Sequence, residues 1–497
     1  MEGRNGDLVS LCMIVRNEEQ QLADCLAPVA SLFDEVVIVD TGSSDKTPAV
    51  AARFTPHVFH FPWRDDFSAA RNEALRLSTG NWIFWLDADD RITPDNVNKL
   101  RDCLLQLDGR PRAYLMNTAC TSRYECEGSH LVTHTRLFRR HPDLRWRGRV
   151  HEQLRPEVHT LGYELAWCDV RIDHSGYADQ GVYQRKLQRD LRLLRMDYAI
   201  DPDDASTLIH LGLTCFHLGR FQPARTYLER LLALTQTPSD HLRQVYGVLA
   251  SMFMREGRTL EALNTLDRAV AIFPWADDLL YPRAECLYEL DRYSEARETL
   301  MRILTGTGTP QYRGGVPDDI RDKRAARKLA DICRLQHDFV QAEVVLRDVL
   351  AHFPQDTLSW YTLGRVYLDS QQRVRLLSAL EGLKSCPQGE VFATMLRAMW
   401  YLNAREFDAA GQAIEELIGL APQMPMPRIL RVEWLAQTAA PITNRIQSCR
   451  DLLRVQPGNQ EARKLLANLE AIAGVPATLP GSETGVVLTP GLPVSAA

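Results

Sequence analysis

The chain has 497 residues, 45% of them hydrophobic and 25% charged, with a net charge of −6. That length exceeds one ordinary core and predicts two or more domains, the acidic balance gives no basis for nucleic-acid binding, and no apolar run reaches the length of a membrane span. Eleven cysteines lie scattered with no C-x-x-C pair, and the first residues lack a signal peptide's basic start and apolar segment, which together predict a reduced, cytoplasmic setting.

From Leu8 to about residue 175, strand and helix patterns alternate. Leu8 to Val15 reads as a buried strand, followed by a helix that begins near Glu18 and carries Leu22, Cys25 and Leu26 on one face. Val36 to Val39 is a second strand ending at Asp40. The turn Thr41-Gly42-Ser43-Ser44-Asp45 then leads, with Asp45 or Thr47 as cap, into a helix running to Phe54. Val58 to Phe61 is a short third strand, Ser68 to Leu77 a helix, and Trp82 to Leu86 a fourth strand. This order with short loops predicts an α/β fold, a mainly parallel twisted sheet with helices on both faces. The fourth strand runs into Asp87, Asp89 and Asp90. Ligands of open α/β sheets collect at the carboxyl ends of strands, and carboxylates so spaced suit a hard divalent cation. The same residues also cap helices and build turns.

A basic amphipathic helix follows at Gln184 to Met196, with Arg185, Lys186, Arg189, Arg192 and Arg195, and its spacing suits a domain-joining element. Beyond about residue 200 the pattern is helical and repeats. Leu218-Gly219-Arg220-Phe221 with Ala224 returns in changed form at Met254 to Arg258 with Ala262, at Leu290 to Tyr293 with Ala296, at Leu335 to Phe339 with Ala342, and at Leu402 to Phe407 with Ala409. Pro354, Pro387, Pro422 and Pro457 are separated by 33, 35 and 35 positions. This pattern resembles tetratricopeptide repeats, pairs of antiparallel helices in about seven units. Thr305 to Pro317 reads as a loop interrupting the array, and the Pro- and Gly-rich tail after Gly474 as disordered.

Four segments of the first half, taken together, resemble glycosyltransferase family 2, with its GT-A, Rossmann-like nucleotide-diphospho-sugar fold. They are Leu11 to Glu19, Val39 to Thr47, Phe67 to Asn72, and Trp85 to Asp90. The resemblance covers roughly residues 8 to 175 and implies roles for individual positions. Asp40 would accept from the base of the nucleotide, Glu18 from a ribose hydroxyl, and Arg16 would touch base or phosphate. Arg71 would serve the nucleotide site, Asp87 would face the ribose, and Asp89 would reach a Mg²⁺ or Mn²⁺ ion that stabilises the departing diphosphate. In a second cluster, Trp146 to Gln153 and Ile172 to Tyr177, Glu152 matches the acceptor-side base. His174 either completes the metal shell, binds a phosphate, or is an ordinary hydrogen-bonded histidine. Ordinary readings exist for the others too: Glu18 as a carboxylate in the first turn of a helix, and Arg71 and Glu152 in ion pairs. The run Arg136, Arg139, Arg140, Arg145, Arg147 and Arg149 is either a solvated face or a grip on an anion.

The expected layout is a GT-A domain over residues 1–178, a connecting helix over 179–200, a repeat domain over 201–473 and a tail over 474–497. The resemblance implies an inverting, metal-dependent transferase that takes a nucleotide-sugar donor, UDP-linked by family habit. Its acceptor would be a peptide, protein or glycan, and the repeats would offer a concave groove to an extended acceptor or a protein partner. Two acceptor classes stay open, a polypeptide side chain and a growing bacterial surface glycan. A non-catalytic scaffold that merely binds nucleotide is the competing class. A nucleotidyltransferase is disfavoured because Arg16-Asn17-Glu18 stands where its Gly-rich basic loop would be.

Overall fold

The computed structural model describes residues 7–120, 130–154, 158, 160–174, 180–235, 237–306, 316–317 and 320–473. Ser175 to Tyr177, most of the interrupting loop and the tail lie outside the described residues. Two compact units make up the fold, Met1–Arg321 and Asp322–Ala497. Among the described residues no helix is long and apolar enough to cross a membrane.

The first unit opens with β1 (Val9–Val15), α1 (Leu22–Leu26), β2 (Glu35–Asp40), α2 (Thr47–Ala51), β3 (Val58–His60), α3 (Phe67–Leu77) and β4 (Trp82–Trp85). Strands β3, β2, β1 and β4 lie side by side and parallel. Side chains alternate across the sheet with period two. Leu11 and Met13 of β1 therefore join one core with Ile38 and Phe84, while Cys12 joins another with Val37, Val39 and Trp85. Both faces are covered.

Helices α1 and α2 are shorter than the sequence pattern predicted. Glu18 lies before the helix in a turn, with the amides of Gln21 and Leu22 bonding its carbonyl, and Asp45 accepts from the Thr47 amide at 2.9 Å. Beyond β4 the sheet departs from the mainly parallel expectation and becomes mixed. β5 (Asp90–Arg91), α4 (Pro94–Leu105), β6 (Arg112–Cys120), β7 (His130–Arg139) and β8 (Glu164–His174) follow. β7 runs antiparallel to both β4 and β6, β5 antiparallel to β8, and β6 parallel to β8.

Helix Gln180–Ile200 then leads into three helix pairs, Ala205–His217 with Phe221–Leu234, Asp240–Arg255 with Thr259–Ile272, and Asp277–Glu289 with Tyr293–Thr305. These pack in the same unit as the sheet: Leu191, Leu194 and Val150 share a core with Leu208, Leu211 and Leu228. A short strand β9 (Val316–Pro317) returns from the third pair to bond β7 at Leu131 and His130. The interrupting loop thus ends on the sheet.

The second unit holds four more pairs, beginning with Ala325–Leu335 and Phe339–His352, and a last helix, Gln460–Ala473. Every turn inside a pair carries one left-handed residue: Gly219, Gly257, Asp291, His337, Gln371, Arg405 and Ala439, with φ between 50° and 72°. Such a residue ends a helix and lets the chain double back. Glycines sit where helices touch. A Cβ on Gly212 would lie 2.4 Å from Leu228, and one on Gly364 would lie 2.3 Å from Leu396.

Candidate active site

Parallel pairing sets the carboxyl ends of the first strands side by side. Val15 is in register with Asp40, and Cys12 with both Val37 and Trp85, so Arg16, Asp40 and Asp87 all emerge along one edge. Arg16 is exposed. Asp40 is buried, and its carboxylate accepts from the amides of Gly42 at 3.2 Å and Ser43 at 3.1 Å and from the Ser43 hydroxyl. That bonding shapes the turn in which Gly42 takes φ 105°. A carboxylate has about four acceptor positions, so anchoring this loop and meeting a further donor are compatible. The Glu18 amide bonds Thr47 Oγ1 at 2.7 Å, which fixes the segment after β1 against α2.

Just past β4 the chain folds back on itself. The Asp87 amide donates to Asp90 Oδ2 at 2.9 Å, and the Asp90 amide to the Asp87 carbonyl at 3.1 Å. Register between β5 and β8 then sets His174 opposite Asp90. Asp90 is fully buried and receives Arg136 Nη1 at 2.7 Å and His174 Nδ1 at 3.0 Å. Burial alone would raise its pKa, yet Arg136 and His174 hold it below the usual carboxylate range. Asp90 is therefore ionised and can only accept, which makes Nδ1 the protonated nitrogen of His174.

Asp89 Oδ1 lies 3.4 Å from the same nitrogen, and Asp89 Oδ2 lies 3.9 Å from Lys186 Nζ. One ligand atom from each of Asp87, Asp89, Asp90 and His174 falls within 4.8 Å of the others. Burial raises the Asp89 carboxyl against the pull of His174, with Asp87 adding to the rise. Burial and then Asp89 push Glu18 up to about 7. The His174 imidazole is raised because its bond to Asp90 and the charges of Asp89 and Asp87 outweigh burial. These groups fit a divalent cation. Crowded carboxylates that resist ionisation lack counter-charge, and oxygen donors with one imidazole suit Mg²⁺ or Mn²⁺.

Arg71 ties this cluster to Glu152. It is buried, donates from Nη2 to Asp87 Oδ1 at 2.8 Å, and donates from Nε to Glu152 Oε1. The partner of Glu152 is thus an arginine 81 positions away and not one of the adjacent arginines. The segment carrying Glu152 is held by the other side of the same helix: Asn72 accepts from the Trp146 amide at 2.8 Å and donates to its carbonyl at 3.0 Å. A bridge between Arg147 and Gln153, with Gly148 at φ 93° and His151 at φ 54°, turns the chain back toward Arg71.

The arginine-rich stretch forms neither one solvated face nor one anion grip. Arg136 is buried on Asp90, Arg139 and Arg140 reach the carbonyls of Asp108 and Ser78, Arg149 pairs with Asp197, and Arg145 and Arg147 are exposed.

Four contributors had no individual role in the sequence reading, where Asp90 stood only as one of three clustered carboxylates and Arg136 only as one of an arginine run. Asp90 orients His174, as carboxylates orient ligand histidines at metal sites. Arg136 neutralises Asp90. Trp85 takes both guanidinium groups on its ring, Arg136 at 3.8 Å and Arg71 at 4.4 Å. Lys186 brings a cation to the rim from the helix that joins sheet and repeats. Alternation along β4 already pointed Trp85 to one face; the other three depend on pairings between distant segments.

Residues 10–109 match the model of glycosyl transferase family 2, and residues 203–274 and 253–314 match tetratricopeptide repeat models. The chain thus carries a family 2 glycosyl transferase domain followed by tetratricopeptide repeats. A TPR repeat-containing protein of Synechococcus elongatus is 35% identical over 267 residues, 52% of this chain and 64% of its own length. The SPbeta prophage-derived glycosyltransferase SunS of Bacillus subtilis is 24% identical over 281 residues, 55% of this chain and 65% of its own length. The match spans less than two thirds of either relative. A solved tetratricopeptide repeat protein from Parabacteroides merdae aligns with 51% of this chain and 94% of its own, at 17% identity and TM-score 0.40.

Proposed function

We propose that the chain is a metal-dependent, inverting glycosyltransferase that moves a sugar from a nucleotide-diphospho-sugar, UDP-linked in the first instance, to an acceptor held partly by the helical repeats. What supports this reading above all is the cluster of Asp87, Asp89 and His174 at a strand end, joined through Arg71 to Glu152. Asp89 and His174, with Asp87, expected to face the ribose, close enough to join them, would hold Mg²⁺ or Mn²⁺, which when bound supplies Lewis-acid stabilisation of the departing diphosphate. Glu18 and Asp40 meet the ribose and the base, beside the exposed Arg16. Arg71 holds Glu152 by Oε1 and so fixes the direction from which that carboxylate takes a proton from the acceptor. A polypeptide acceptor is favoured because stacked helical repeats present an extended groove.

The test is nucleotide release by the full chain, given Mn²⁺ and a panel of nucleotide sugars. Turnover with at least one donor, lost on chelation and in Asp89→Asn, is expected. Indifference to every donor and to metal would instead favour a scaffold that does no chemistry.

A further inference from the structure

Lys186 lies on the second turn of helix Gln180–Ile200, and that helix is fixed to the transferase sheet. Arg192 donates to both carboxylate oxygens of Asp65 at 2.8 and 2.7 Å. Asp197 accepts the Arg149 amide at 2.8 Å, and Leu187 and Leu191 are buried. The base of the Lys186 side chain is therefore held in place, while its four-carbon stem remains flexible. Its ammonium stands 3.9 Å from Asp89 Oδ2, beyond hydrogen-bond length but within strong Coulomb reach. Arg71 and Arg136, two further cations at the cluster, are buried and bonded to carboxylates. A diphosphate brings negative charge that those two are badly placed to meet.

We propose, resting on the donor reading above, that Lys186 is a diphosphate-binding residue whose ammonium leaves Asp89 for the nucleotide phosphates when the divalent cation takes that carboxylate. Lysine and cation share one oxygen acceptor and repel each other, so they compete while no nucleotide is bound. Once the diphosphate is present each has its own partner, because an ammonium binds phosphate as a compact point charge. Lys186 thus opposes the metal alone and favours the metal together with nucleotide. Two effects of opposite sign follow from one side chain, and a residue that merely supports the fold would not produce them.

Calorimetry on the full chain reads both. Lys186→Met should bind Mn²⁺ alone about threefold more tightly than the parent and, at saturating Mn²⁺, bind UDP about tenfold more weakly. Lys186→Arg, which keeps the charge, should recover most of the UDP affinity. If the parent chain binds no UDP with Mn²⁺, the donor reading itself falls and this inference with it. If the parent binds and Lys186→Met binds UDP equally well, the inference alone is overturned. Weakening of both Mn²⁺ and UDP in that variant would mark a structural disturbance and also overturn it.

Discussion

Buried charge is more concentrated in the sheet than in the helical repeats. In the sheet it converges: Asp90 is wholly enclosed and meets Arg136, His174 and the Asp87 amide at one point. In the repeats it is spread over several smaller groups: Arg334 lies between Asp331 and Asp369, and Arg327 pairs with Asp356 at 2.9 Å, a carboxylate that also caps a helix by accepting the Ser359 amide at 3.0 Å. Both regions leave costs behind: Arg136 Nε and Thr135 Oγ1 in the sheet, and Ser359 Oγ and Tyr361 Oη in the repeats, are buried without a hydrogen-bond partner among the described residues. A structural network gains nothing from crowding carboxylates until two of them resist ionisation; a binding site does, because the ligand supplies the missing charge. Dispersed pairs stabilise a scaffold, and the concentrated one marks where chemistry is expected.

The largest effect that tests this contrast comes from cutting the chain. Ending it after Ile200 strips away the first repeats, against which Val150, Leu191 and Leu194 are buried. That product should aggregate or lack a cooperative thermal transition in circular dichroism. A cut after Arg321, at the boundary between the two compact units, should keep a cooperative transition and donor hydrolysis while slowing transfer to acceptor. Equal behaviour of the two truncations would deny that the first repeats belong with the sheet.

Single substitutions come next. Arg136→Leu strands the Asp90 carboxylate without its cation and should cost about 3–5 kcal/mol in urea unfolding. Arg230→Leu, at an exposed repeat pair with Asp203, should cost only a small fraction of that loss. Similar losses at both would erase the distinction between concentrated and dispersed charge. In the array itself, Ala439 occupies a left-handed turn position at φ 50° that two other turns, at Gly219 and Gly257, give to glycine. Ala439→Gly should stabilise by about 1 kcal/mol, read as a higher unfolding midpoint.

The smallest effect is a pH dependence. Glu18 is raised from 4.5 to about 7, so the folded chain holds that proton more tightly than the unfolded chain does. Ionisation of Glu18 therefore weakens the fold progressively from the lower value to the upper. In metal-free buffer, Glu18→Gln should be more stable than the parent by about 1 kcal/mol above neutrality, discounted for partial exposure, with the gap closing in acid. A constant gap across pH would assign the effect to packing.

How much of this was legible in the sequence follows from how local each signal is. β1, β2 and β4 are short apolar runs ending at Val15, Asp40 and Trp85, so the strand ends, and the polar residues just past them, could be read directly. The repeats were legible through small residues such as Ala224 and Ala262 and through turn positions such as Gly219 and Asp291. Illegible was whatever depends on distant pairing. β5 has two residues and no pattern of its own, yet its register with β8 sets His174 against Asp90 across 84 positions. Arg136 read only as one of six arginines on a solvated face or an anion grip, because nothing nearby reveals that β7 carries it onto Asp90. The antiparallel half of the sheet was missed for another reason: β6 and β7 are consecutive and pair with each other, but no strand was read from the sequence beyond Leu86.

Crystals of the full chain soaked with Mn²⁺ and UDP give the most direct measurement, since manganese can be located by its anomalous scattering. A single strong peak is predicted among the carboxylates of Asp87 and Asp89 and the imidazole of His174, with the diphosphate beside it. Bound UDP with no manganese at those three side chains, or manganese seated elsewhere, would contradict the site.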